Sequence, residues 1–121
     1  MLNTAAKLKM FFSGFGLPAY TLQSIPDDVQ LPYITYPLTE PEWDKQETFY
    51  CQVWYPKNRL EDLITKADQI MAAIGTMKKI KKPGGYLVMY PGTPNIQIYS
   101  DEYSQSAYIS LILNAYQLPG E

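Results

Sequence analysis

Four groups of carboxylates are the side chains in this sequence best suited to chemistry: Asp27-Asp28, Glu40-Glu42-Asp44-Glu47, Glu61-Asp62 and Asp101-Glu102. Two such groups held in unlike environments can serve as general acid and general base, and a cluster of their oxygens can hold a divalent cation. Each group also has an ordinary use in a turn, a solvated loop or the first turn of a helix. The Glu40–Glu47 segment lacks the Asp-x-Asp-x-Asp-Gly order of a calcium loop. Histidine is absent and Cys51 is the only thiol. Ser-His and Cys-His mechanisms, internal disulfides and zinc clusters are thereby excluded. Cys51 is expected to be a small buried hydrophobe. Gly84-Gly85, after Pro83, form neither phosphate-binding pattern. The residues point away from an enzyme, with no cofactor and no metal expected.

The aromatic residues are more informative. Tyrosine occurs 11 times in 121 residues, mostly within or beside stretches that read as strands. Strand propensity alone accounts for many of them, but amphipathic rings also supply contact area at interfaces. Leu31-Pro32-Tyr33-Ile34-Thr35-Tyr36-Pro37 sets proline on either side of a β-branched and aromatic run. Proline donates no ladder hydrogen bond, so this strand is expected at a sheet border. Tyr33 and Tyr36 on that strand, Trp43 in the loop after it and Trp54 on the next strand are the candidate interface residues. For Trp54 the competing reading is burial under a helix.

These residues need a frame to position them. A helix is expected over about Asn3 to Phe12, capped by Asn3 or Thr4, with Leu2, Ala5, Leu8 and Phe12 on one side. Residues 13 to 30 read as an irregular connection punctuated by glycine and proline. A strand from Glu47 to Tyr55 puts Phe49, Cys51, Val53 and Tyr55 on one face and Tyr50, Gln52 and Trp54 on the other. Asn58 to Ile74 reads as a helix capped by Asn58, with an Asp62–Lys66 pair and Gly75 as its left-handed stop. The lysines at 78, 79, 81 and 82 read as a solvated loop beyond that helix. Strands follow at Tyr86–Tyr90, Asn95–Tyr99 and Gln105–Tyr116, the last placed centrally with Ala107, Ile109, Leu111, Leu113 and Ala115 inward. The expectation is a single α+β domain over 1-121. Its order is α-β-β-α-β-β-β, a mainly antiparallel sheet of about 4-5 strands with two helices on one face.

Hydrophobic residues make up 46% and charged residues 18%, with a formal net charge of -2. That composition suits a folded chain and draws neither nucleic acid nor an anionic membrane toward it. No apolar run approaches the ~20 residues of a membrane span, and Lys7 and Lys9 interrupt any leader-like stretch, so synthesis in the cytoplasm is expected.

Phe12-Ser13-Gly14-Phe15-Gly16-Leu17-Pro18-Ala19-Tyr20, Ile25-Pro26-Asp27-Asp28 and Leu31-Pro32-Tyr33-Ile34-Thr35-Tyr36 resemble the opening of small phage neck proteins. These are the tail terminator proteins, also labelled minor capsid or tail completion proteins, of long-tailed phages and prophages of Gram-positive bacteria. The resemblance implies an α+β fold and a ring, usually of six copies, on the last tail-tube ring. Such a ring ends tube polymerisation and prepares head-tail joining. The implied partners are further copies of the chain, the tail tube protein and a head-completion or connector protein. The implied location is the virion neck, reached from the host cytoplasm during assembly. Neither catalysis nor specific nucleic-acid binding belongs to that role, and the family has no catalytic residues to carry over. The alternatives are a head-completion or stopper protein, and a non-viral module that binds a protein or peptide on its aromatic sheet face.

Overall fold

A computed structural model describes residues 1–119. Its elements are α1 (Leu2–Phe12), β1 (Ala19–Thr21), β2 (Tyr33–Tyr36), β3 (Gln46–Pro56), α2 (Leu60–Ile74), β4 (Lys78–Lys82), β5 (Gly85–Ser100) and β6 (Ser104–Gln117), with short 3₁₀ turns at Ser13–Phe15 and Leu22–Ser24. One sheet runs in the order β1-β2-β3-β6-β5-β4. The α+β architecture matches expectation, but the sheet has six strands and is mixed, because β1 runs parallel to β2.

β6 lies at the centre, as its length and alternation predict. Ala107, Ile109, Leu111, Leu113 and Ala115 are fully buried on one face. Phe49, Cys51, Val53 and Tyr55 of β3 continue that layer. Both helices pack on it. Leu63, Ala67, Ile70 and Ile74 form the buried stripe of α2, and Phe12 of α1 stacks on Tyr36 and Phe49 at 4.6 and 5.9 Å. Burying a leucine- or isoleucine-sized side chain contributes about 1.5–3 kcal/mol, so this layer dominates the stability of the fold.

The helix ends differ from expectation. Neither Asn3 nor Asn58 caps a helix: the N-cap positions are Met1 and Arg59, without a side-chain cap bond. The buried side of α1 is Thr4, Leu8 and Phe12, while Leu2 is exposed. Asp62 pairs with Arg59 at 2.7 Å, and Lys66 instead donates to the Phe15 carbonyl oxygen at 2.6 Å. Gly75 does end α2 at positive φ (59°), its N–H donating to the Met71 carbonyl; its ψ of -139° lies outside the left-handed helical region.

Three corrections concern strands. β2 is not a border strand, because β1 pairs with it on one side and β3 on the other. Both prolines lie just outside Tyr33–Tyr36, where no ladder donor is required. β1 has only three residues, too few for any periodicity to show. The lysine run is not a loop. It is strand β4, paired along its length with Lys82↔Gly85 through Lys78↔Met89, and it forms a sheet border. Lysine on a border strand discourages pairing with a second copy of the same strand. Finally, Tyr86–Tyr90 and Asn95–Tyr99 belong to one strand, β5. Pro91-Gly92-Thr93-Pro94 does not turn the chain but makes an irregularity, with register resuming at Ile96↔Ile109 after Pro91↔Leu111. Bulges accommodate residues that cannot donate to the ladder.

Candidate interaction surface

The strand period of two that sends Phe49, Cys51 and Val53 into the core sends Tyr50, Gln52 and Trp54 to the opposite face. Cross-strand register extends that face. Tyr33 lies opposite Trp54, Tyr50 opposite Ser110, Tyr99 opposite Ser106 and Tyr86 opposite Tyr116. Eight of the tyrosines share this face: Tyr20, Tyr33, Tyr50, Tyr86, Tyr90, Tyr99, Tyr108 and Tyr116. Tyr36 and Tyr55 are in the core, and Tyr103 is exposed at the β5–β6 turn.

The rings hold one another in place. Tyr20 meets Tyr33 edge-on at 6.1 Å, and Tyr33 stacks on Trp54 at 6.0 Å. Trp54 donates its indole N–H to Thr35 Oγ1 at 3.0 Å. Tyr108 lies edge-on to both Tyr50 (6.1 Å) and Tyr99 (5.3 Å). At the other end of the face the hydroxyls of Tyr90 and Tyr116 share a hydrogen bond of 2.8 Å, and the Lys79 ammonium lies 4.8 Å from the Tyr86 ring centre. Such ring pairs contribute about 0.5–1.5 kcal/mol beyond their area. Burial, followed by the negative charge of Asp101, raises the Tyr33 pKa. The bond to Tyr116, followed by burial, raises that of Tyr90. These phenols stay neutral at physiological pH.

Rings remain available to a neighbour. Tyr50 is 46%, Tyr99 50% and Tyr116 40% exposed. Ser110 Oγ and Asn114 Oδ1, buried on the same face of β6, have no hydrogen-bond partner among the described residues. A shallow depression of about 160 Å³ lies beside Gln52, Trp54, Tyr99 and Tyr108.

The four sequence candidates do not converge. Tyr33 and Trp54 meet on the open face, and Trp54 therefore lies under no helix. Tyr36, 2% exposed, points the other way into the core, so its ring cannot reach a partner. Trp43 lies off this face. Its segment bridges to Ala115, its ring covers Gly84 and Gly85, and the Lys82 ammonium sits 4.8 Å from the ring centre. A Cβ at Gly85 would collide with the Tyr116 carbonyl oxygen and come within 2.9 Å of the Trp43 ring. Gly84 stands at φ +88°, where a side chain is strained and a Cβ would come within 3.1 Å of the same ring. Tyr50, placed on the Trp54 face by the alternation of its strand, meets Tyr108, which also meets Tyr99; none of these three was among the candidate interface residues.

The carboxylates are dispersed. Glu40 accepts from Lys82 at 3.3 Å, Glu42 pairs with Lys45 at 2.8 Å, and Glu47 accepts from Thr39 at 2.8 Å. Asp101 accepts from the backbone N–H groups of Tyr103 and Ser104 and from the Ser104 hydroxyl, which hold its pKa low. Among the described residues no three His, Cys, Asp or Glu side chains cluster as metal ligands, and no helix is long and apolar enough to cross a membrane. Cys51 is buried, and burial pushes its thiol up to about 12.

One polar node was not foreseen. Lys82 is only 7% exposed and donates to Thr4 Oγ1 at 3.1 Å as well as to Glu40. It ties α1, the Glu40 loop and β4 together beneath Trp43. Burial disfavours the Glu40 charge, but the Thr4 hydroxyl, Lys82 and the Met1 amino group outweigh it and hold the pKa below the usual carboxylate value.

A scan of protein-family models gives no match to this chain, and a search of curated proteins gives no significant match.

Proposed function

We propose that this protein is a structural component of a phage neck, a tail terminator that caps the tail tube as a ring and prepares it for head joining. The observation that carries the reading is the helix-free aromatic face. Tyr50, Tyr99 and Tyr116 stand exposed there. A solitary chain gains little from such a face, whereas a subunit buries it against a neighbour. A ring needs two different patches that meet heterologously, and a stable contact takes about 800 Å² from each partner. The face offers one such patch. The Phe12–Tyr36 motifs supply the link to tail terminators, and partners in that role are further copies, the tail tube protein and the connector.

The test is deletion of the gene in a phage-producing strain, with electron microscopy of the particles, followed by complementation with Tyr50→Glu/Tyr99→Glu. Both positions are exposed, so the variant should fold normally by circular dichroism. Overlong tubes or headless tails are expected in the deletion and in the complemented strain alike. Tails of normal length joined to heads would refute the proposal. Leaking heads beside normal tails would point to a stopper on the connector side.

A further inference from the structure

The border strand β4 and helix α1 enclose a groove, one of whose lining residues, Lys79, also reaches the Tyr86 ring on the aromatic face. It measures about 310 Å³; Met10, Phe11 and Ile80 line it, with Lys7, Lys79 and Lys81 around them. One edge of β4 pairs with β5 and, as the last strand of the sheet, its other edge has no strand beside it among the described residues. Backbone N–H and C=O groups of an unpaired edge form a template for a further strand. Lys7, Lys79 and Lys81 have no carboxylate partner among the described residues, in a chain whose net charge is -2.

We propose that this groove takes an extended acidic segment of another protein, added to β4 as a seventh strand. Three features select that occupant. The unpaired edge supplies main-chain hydrogen bonds to any extended peptide. Met10, Phe11 and Ile80 receive its apolar side chains at alternate positions. The lysines then discriminate. They repel a second copy of β4, which would bring its own lysines, and attract Glu or Asp on the incoming strand. Arginine, which favours bidentate phosphate contact, is absent from the groove. That weighs against a nucleic-acid backbone as occupant. The other border, β1, has three residues and offers too short an edge. The inference does not need the phage reading, because β4 and α1 line the groove; Lys7→Glu tests it away from the aromatic face.

The probe is a ten-residue peptide alternating Val and Glu, titrated into the isotopically labelled full chain, with a Val/Lys twin and a single-stranded oligothymidylate as comparators. Binding is read from amide chemical shifts, and strand addition from amide hydrogen exchange. The Val/Glu peptide is expected to bind and to slow exchange at alternate amides within Lys78–Lys82. Added salt should weaken it by screening. Lys79→Glu/Lys81→Glu should lower its affinity about tenfold, and Lys7→Glu, which leaves the sheet untouched, should weaken it too. No binding, binding without slowed exchange in β4, equal binding of the Val/Lys twin, or displacement of the peptide by oligothymidylate would each overturn the proposal.

Discussion

Replacing Trp43 by alanine separates a structural ring from an interface ring. Full burial of a tryptophan makes its truncation cost about 3–5 kcal/mol. Trp43 is only partly buried, so roughly half of that, about 2 kcal/mol, follows from lost packing on Gly84 and Gly85. The Lys82 ammonium, 4.8 Å from the ring centre, loses a cation–π contact worth about 0.5–1 kcal/mol. The sum, about 2–3 kcal/mol, divided by a urea m-value of about 2 kcal/mol/M, lowers the unfolding midpoint by about 1–1.5 M. Urea titration followed by fluorescence measures this directly. Trp54, the remaining tryptophan, reports from the opposite face of the sheet, so the readout does not depend on the mutated site. A midpoint shifted by less than about 0.3 M would refute the reasoning and return Trp43 to the pool of contact residues.

Two further outcomes follow from the shifted groups Glu40 and Cys51. Glu40 has a folded pKa below its usual value, so its contribution to stability is present above the unfolded carboxylate pKa and is lost as pH falls through the folded one. Urea midpoints measured from pH 7 down to pH 3 should therefore fall more steeply for the natural chain than for Glu40→Gln; parallel curves would dismiss the Lys82–Glu40 contact as a stabiliser. Cys51, with its thiol pushed up to about 12 and no exposure, should stay unmodified by a thiol-specific disulfide reagent at pH 8 and react fully in urea. Rapid reaction in the native state would contradict the placement of β3.

Much of the frame was legible because burial leaves a periodic trace. Leu63, Ala67, Ile70 and Ile74 recur at helical spacing, and Ala107 through Ala115 alternate without a break, so α2, β6 and the central place of β6 were all readable. β1 was not, because three residues carry no period. β4 was hidden because lysine has low strand propensity and the run was assigned to solvent. Pro91 and Pro94 looked like the end of a strand, since proline marks turns and bulges alike.

Sequence by itself determined both helices, the long central strands with their buried layer, and the chemical inventory: no histidine, one thiol, many rings. Whether a given ring is core or surface was decided by tertiary structure alone. Tyr33 and Tyr36 sit three residues apart on one strand, yet one stacks on Trp54 in the open and the other on Phe12 inside. Parity puts them on opposite faces, but only the docking of α1 and α2 chooses which face is covered. The same holds for Lys82. Its neighbours in the run meet water, while Thr4 and Glu40, distant in sequence, close over it because pairing with β5 and packing against α1 bring them there.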